Sequence, residues 1–249
     1  MKQDEHEFNV RDKLILGLDV DDVGIAYGLI DKLAPFVKFY KVGLQLITKD
    51  GPRMVMTLKR KGLKIFYDAK FFDIPQTVYN ACCEATRLGV NFINVHAMGG
   101  SKMIKFAKQA IEDTSNKLQI EKPKLLAVTV LTSFESREIK NIFRSKFDVK
   151  KMVIHLAKLA KKAGVDGVVC SPKEIHSIRK ECGKDFIIVT PGIRIGKVEK
   201  DDQKRVMTPY EAIKRGADYI VVSRPIIQAD DKIEMVSKII NQMQEACKK

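Results

Sequence analysis

AKKAGVDGVV, residues 160–169, reads as the end of a helix, one glycine and the start of a strand. Two lysines just before Gly164 suit a helix C-terminus, where cations meet the negative end of the dipole and glycine takes the left-handed turn. The same order returns in ATRLGVNFI (85–93) and in IKRGADYIV (213–221). Upstream of the glycine the pattern has a 3.6-residue period, as in MVIHLAKLAKKAG. Downstream comes a short β-rich apolar run.

Extended along the chain, this unit yields eight apolar runs: LILGLD (14–19), VKFYKVG (37–43), KIFYDAK (64–70), FINVHA (92–97), KLLAVTVLT (124–132), GVVCS (167–171), FIIVTPG (186–192) and YIVVSRP (219–225). Several are apolar on both faces, as parallel strands covered by helices must be. Eight βα units in 249 residues, with no linker or low-complexity segment, predict an α/β fold. The predicted form is one closed (β/α)8 TIM barrel over residues 1–249, with residues 1–12 as a polar N-terminal extension. A doubly wound open sheet is the alternative, but the number of units favours closure. Two connections exceed what the repeat needs, 133–149 after the fifth strand and 193–207 after the seventh. Both fall at the C-terminal face, where barrel enzymes keep their chemistry.

Composition sets bounds on function. No apolar run reaches the ~18 residues that span a bilayer. The start, MKQDEHEFNVRDK, lacks the apolar stretch of a secretory signal, so a cytoplasmic location is expected. Five cysteines with no CxxC pair describe free thiols in a reducing compartment rather than a disulfide framework. The four histidines show no metal-ligand spacing. The net charge is +14, from 45 basic and 31 acidic residues. The basic residues are dispersed, and clusters such as KRKGLK (59–64) and KLAKKAG (158–164) read as solvated helix faces. A nucleic-acid-binding protein is the competing class, but neither aromatic–basic interleaving nor finger spacing supports it, and any such affinity would be nonspecific.

Polar residues interrupt the apolar strands at their C-terminal ends. These are Asp19, Lys41, Asp68 and Lys70, with Asp73 opening the next loop; then Thr132 and Ser133; Pro191, Gly192 and Arg194; and Ser223 and Arg224. Strand alternation turns Asp68 and Lys70 to the same side. Inside a barrel, unpaired charges would be very costly, so Lys41, Asp68, Lys70 and Asp73 are expected to pair in an alternating array. Nearby carboxylates keep lysines protonated, which makes Lys70 a proton donor rather than an amine nucleophile. A lone DxK more often marks a solvated strand edge; four matching positions over three strands outweigh that reading. The ends of the seventh and eighth strands are the usual barrel site for a phosphate, with Arg224 able to grip it through its fork. Arg-Pro as a plain helix-breaking turn is the bland alternative there.

These segments resemble the orotidine 5′-monophosphate decarboxylase family. DAKFFDIPQT (68–77) is similar to its D-x-K-x-x-D-I-P-x-T segment. AVTVLTS (127–133), DGVVCS (166–171), VTPGIR (189–194), DQKRVMTP (202–209) and VVSRPI (221–226) resemble its later strand-end blocks, in the same order. The resemblance implies conversion of orotidine 5′-monophosphate to uridine 5′-monophosphate in pyrimidine synthesis, with no metal and no organic cofactor. It implies that Asp19 and Lys41 contact the ribose, that Asp68 sits near the substrate carboxylate and that Lys70 protonates C6. Thr132 or Ser133 would touch the pyrimidine. Arg194, Gln203 and Arg224 would hold the phosphate beneath a closing 193–207 loop. Asp73 and Thr77 would reach the site of a second subunit, in a homodimer with shared sites. The chain departs from the family pattern at Phe72, where His is frequent, at Gln76, where Asn is frequent, and at Ser223, where Gly usually precedes the arginine. The sister reading, a metal-dependent sugar-phosphate decarboxylase or aldolase, shares D-x-K-x-x-D but not IPQT, TPGIR or Gln203.

Overall fold

A computed structural model describes residues 10–144, 148–196 and 206–248. Eight parallel strands close in sequence order into a barrel. They are β1 (Leu14–Gly17), β2 (Phe39–Gly43), β3 (Lys64–Phe71), β4 (Phe92–His96), β5 (Lys124–Val128), β6 (Gly167–Val169), β7 (Ile187–Thr190) and β8 (Tyr219–Val222). Around them lie α1 (Val23–Leu33), α2 (Leu44–Arg60), α3 (Pro75–Arg87), α4 (Gly100–Leu118), α5 (Ser136–Phe143), α6 (Val149–Lys162), α7 (Ile175–Cys182), α8 (Pro209–Lys214), α9 (Arg224–Ile227) and α10 (Lys232–Cys247). The expected barrel is therefore the observed one, each strand lying within or close to its predicted run. Val10–Lys13 forms a 3-10 turn, with Val10 packed on the core.

The three helix–glycine–strand segments are built alike, and the reason is local. Gly89, Gly164 and Gly216 all take positive φ, 71°, 96° and 100°, where a side chain would be strained. Two residues later stands Asn91, Asp166 or Asp218. Each side-chain oxygen accepts the N–H of the second residue of the preceding strand: Ile65 on β3, Leu125 on β5 and Ile188 on β7, at 2.8, 2.8 and 2.7 Å. The polar residue between helix and strand thus clips neighbouring strands together at the foot of the barrel.

Alternation along the strands separates two cores. Outward-facing residues meet the helices in one continuous apolar shell. Inward-facing Ile15, Phe39, Phe66, Phe92, Leu126, Val189 and Val221 fill the barrel. Phe92 packs edge-on against Phe39 and Tyr219, with centroids 4.9 and 5.1 Å apart, and these rings plug the lower half. Two residues further along the same inward rows stand Gly17, Lys41, Asp68, Asn94 and Ser223, and two further again Asp19 and His96, all polar apart from the glycine. The plug ends where the charges begin.

The long 133–149 connection is not a bare loop. It carries α5, started by a capping box in which Glu135 and Glu138 exchange side-chain and backbone bonds. The base of the 193–207 connection is pinned by the Ile193–Met207 bridge, with the Arg194 N–H donating to the Met207 carbonyl at 3.0 Å. Gln203 lies outside the described residues.

Candidate active site

The strand ends bring eleven of the predicted residues around one cavity of about 370 Å³: Asp19, Lys41, Asp68, Lys70, Thr132, Ser133, Pro191, Gly192, Arg194, Ser223 and Arg224. Phe66, Leu131, Val169 and Val221 form its apolar wall. A larger hollow, about 650 Å³, opens at the opposite end, where strands begin. Size does not choose between them; the convergence of opposite charges in the smaller one does.

At the floor of that cavity a chain of ion pairs crosses three strands. Lys41 Nζ lies 2.8 Å from Asp19 Oδ1 and 3.2 Å from Asp68 Oδ2, and Lys70 Nζ lies 2.8 Å from Asp68 Oδ1. Asp68 and Lys41 are buried, with side chains 9% and 11% exposed. Gly17 makes the room: a Cβ there would stand 3.2 Å from Lys41 Cε and 3.0 Å from Ser223 Cβ. Burial alone would raise the Asp68 pKa, but the Lys41 and Lys70 ammoniums and the Asn94 amide outweigh it and hold the carboxyl below the usual range. Burial likewise works against a charged Lys41, and the Asp68 and Asp19 carboxylates overcome it, so its pKa is raised. Both groups are therefore ionised at neutral pH.

This corrects the expected membership of the array. Its fourth member is Asp19, not Asp73. The chain leaves β3 at Phe71, and Asp73 stands exposed on the turn, its Oδ1 accepting the Ile74 N–H at 2.6 Å. Asp73 and Thr77 line a separate small pocket of about 300 Å³, which shares Lys70 with the main cavity. Asp68 and Lys70 do meet, though not by simple alternation. The β3–β4 register shifts between Tyr67 and Phe71, and Lys70 takes φ 51°. A bulge aims the lysine.

Sequence reasoning passed over Asn94, which is fully buried on β4. Its Nδ2 donates to Asp68 Oδ1 at 2.6 Å, and its Oδ1 accepts the Lys70 N–H at 2.7 Å. The signal was present: Asn94 breaks the apolar run FINVHA and follows Phe92 by two. His96 is buried beside Phe72, rings 5.5 Å apart; burial and the Lys70 charge lower its pKa, so it is neutral. Ser223 Oγ and His96 Nδ1 are buried without a hydrogen-bond partner. The φ of Ser223 is −127°, so the position does not demand glycine. Cys170 is buried at the end of β6, as a structural thiol would be. Among the described residues, no three His, Cys, Asp or Glu side chains group as metal ligands, and no helix is long and apolar enough to cross a membrane.

A pH dependence follows from the depressed Asp68 carboxyl. Its contribution to stability is full above the unfolded value of ~3.9 and is lost as pH falls through the lower folded value. Urea midpoints measured from about pH 6 down to 3 should fall more steeply for the native protein than for Asp68→Asn. Parallel curves would mean that the carboxylate gains nothing from its partners.

Fold and site together define a closed (β/α)8 barrel with a fixed array of ammonium and carboxylate groups in the cavity at its strand ends. Residues 12–239 match the Orotidine 5′-phosphate decarboxylase / HUMPS family, and the chain belongs to that family. It is an enzyme of the carbon–carbon lyase class. Orotidine 5′-phosphate decarboxylase of Legionella pneumophila is 47% identical over 231 residues, covering 93% of this chain and 99% of that protein. The Moorella thermoacetica protein of the same name is 42% identical over 231 residues, covering 93% of this chain and 92% of its own. The crystal structure of orotidine 5′-phosphate decarboxylase from Lactobacillus acidophilus superposes with a TM-score of 0.82 at 38% identity, covering 93% of this chain and 99% of that one.

Proposed function

We propose that the chain decarboxylates orotidine 5′-monophosphate to uridine 5′-monophosphate in de novo pyrimidine synthesis, without metal or organic cofactor. The observation that carries this reading is the Asp19–Lys41–Asp68–Lys70 ion chain, buried at Lys41 and Asp68, at one end of a cavity that Arg194 and Arg224 also line. At about 370 Å³ the cavity suits a nucleoside monophosphate.

Breaking the bond from C6 to the carboxylate leaves its electron pair on C6 as carbon dioxide departs. The Lys70 ammonium, held by Asp68, faces that developing charge and then gives C6 its proton; solvent returns a proton to the amine. Charge that is already in place costs no reorganisation when the bond breaks, which is why such terms are usually the largest in catalysis. Asp68 lies where the substrate carboxylate would meet it, so the bound acid is repelled and the leaving carbon dioxide is not. Asp19 and Lys41 bind the ribose, and Thr132 or Ser133 the pyrimidine. Arg194, Gln203 and Arg224 take the phosphate, whose binding energy far from C6 is spent on orientation and closure. Pro191 and Ser223 shape the wall between these ends.

The metal-dependent sister reading has less support. Lys41 Nζ lies 2.8 Å from Asp19 Oδ1 and 3.2 Å from Asp68 Oδ2, so the two carboxylates a divalent cation would need are already paired with an ammonium. The deciding experiment follows the ultraviolet absorbance of orotidine 5′-monophosphate with purified protein. A decrease equally fast with and without EDTA is expected. No turnover, or turnover lost on chelation, would sink the reading and turn attention to sugar phosphates with magnesium.

The reading includes a cytoplasmic homodimer. Phe72 and Ile74, 60% and 68% exposed, flank Asp73 on the rim of the site, as apolar residues awaiting a second copy would. Thr77 follows on α3. In a shared site, Lys70→Ala and Asp73→Asn chains are each inactive, yet a hybrid dimer keeps one intact site. Mixing the two at equal amounts should restore about a quarter of native activity. An inactive mixture, with subunit exchange verified, would remove Asp73 from the partner's site. The lysines of 59–64 are exposed at the far end of α2, and Lys61 pairs with Asp31, which supports only nonspecific affinity for nucleic acid.

A further inference from the structure

We infer that Asn94 is the positioning residue that sets the Lys70 ammonium and the Asp68 carboxylate in register for the reaction. The argument starts from the backbone. From Tyr67 to Phe71 β3 advances four residues while its partner β4 advances two, from Ile93 to Val95. The excess is a bulge, and a bulge leaves backbone groups without their ladder partners. Lys70 is the residue pushed to positive φ, 51°, a strained conformation for a side chain of its kind. Such a residue persists only where its surroundings hold it.

Asn94 stands on β4 opposite the bulge, between Ile93 and Val95, and supplies the missing partner. Its Oδ1 takes the Lys70 N–H at 2.7 Å in place of a strand carbonyl. Because that N–H can only donate, the oxygen must face it, and the amide nitrogen must then face Asp68, where it donates at 2.6 Å. One planar group therefore fixes both the main chain that carries the proton donor and the carboxylate that holds it. Asn94 is 0% exposed, so neither bond is shared with solvent. Only an amide meets both demands at this length: a carboxylate would face Asp68 with like charge, and an aliphatic side chain would leave a part-buried N–H without its acceptor.

Asn91 provides an internal control. It too bridges β4 to β3, its Oδ1 accepting the Ile65 N–H at 2.8 Å, but at the opposite end of the barrel. Loss of Asn91 weakens the same pair of strands without touching the charge array.

Two readouts test the inference, and they fail separately. The first is hydrogen exchange of the Lys70 amide, which needs no substrate. It should quicken by at least about tenfold in Asn94→Ala and stay near native in Asn91→Ala. The second rests on the decarboxylase reading. Turnover of orotidine 5′-monophosphate by Asn94→Ala should fall about 10²-fold in kcat, with KM little changed, since the phosphate end is untouched. Asn94→Asp is nearly isosteric and keeps the experiment decisive where the alanine variant does not fold. Its new carboxyl, pressed against Asp68, holds a proton in acid and imitates the amide donor. Activity should therefore rise toward low pH and fall as that coupled proton is lost, a profile that neither the native protein nor Asn94→Ala shows. Native protection at Lys70 in Asn94→Ala overturns the inference. So does an equal loss of kcat in Asn91→Ala, or an Asn94→Asp profile parallel to the native one. Should the native protein leave the substrate unchanged, the decarboxylase reading fails while the exchange result still decides the role of Asn94.

Discussion

Lys70→Ala is expected to lower kcat on orotidine 5′-monophosphate by roughly 10⁴-fold or more while leaving the fold intact. In the proposed mechanism one group has two roles, a proton donor and a fixed charge beside the developing carbanion, each worth orders of magnitude alone, and the size follows from both. Intactness follows from the partners that remain to Asp68: Lys41 at 3.2 Å and Asn94 Nδ2 at 2.6 Å. The buried carboxylate is not left unpaired, so the variant should melt close to the native protein. Lys70→Arg is informative beside it. Its guanidinium keeps the positive charge but does not release a proton near neutral pH, so most of the loss should remain. A Lys70→Ala protein that retains more than about a tenth of native kcat would remove Lys70 from the chemistry.

Lys41→Met is expected to damage stability as well as rate. Lys41 is the hinge of the chain, a cation shared by Asp19 and Asp68. Its removal sets two carboxylates facing each other, and their situations differ: Asp19 is 49% exposed and stays hydrated, whereas Asp68 is 9% exposed and does not. Removing one partner of a buried pair typically costs about 3–5 kcal/mol; Lys70 and Asn94 still serve Asp68, so about 3 kcal/mol is expected. In a chain of 249 residues that lowers Tm by roughly 6–12 °C. The sign of the pH dependence identifies the cause. Without Lys41 the Asp68 pKa rises, the carboxyl protonates at a higher pH, and the deficit against the native protein narrows as pH falls. A deficit that is constant from about pH 7 to 4 would point to lost packing of the lysine stem instead.

Much of the site was legible because the barrel obeys a simple rule. Polar residues at the ends of apolar strands point into one mouth, and eleven of those named lie there together. Where that reasoning missed, it missed for identifiable reasons. Proximity in the chain groups Asp73 with Lys41, Asp68 and Lys70, but β3 ends two residues before it and the turn carries it to the rim. Asp19 was named for the ribose alone; its place in the ion chain depends on β1 lying beside β2, with Gly17 leaving space for the Lys41 stem. Asn94 escaped because it sits within a strand rather than at its end, and its importance arises only from the bulge opposite. The helix in 133–149 was signalled by Glu135 and Glu138 at capping-box spacing, in a segment read as loop because its apolar period is short.

Local chemistry alone decided the number of strands, their parallel order and the glycine-ended helices, since each depends on period, propensity and a single backbone angle that the residues themselves impose. That Lys70 lies at the mouth was also readable, from its place at the end of β3; its aim comes from the bulge. What the tertiary structure decided is pairing: which carboxylate meets which ammonium, which asparagine replaces a lost ladder bond, and which acid stands exposed on the rim. Those outcomes turn on distances of a few ångströms between strands far apart in the chain. At that range, in a buried site, Coulomb energy and desolvation change by more than any local preference can.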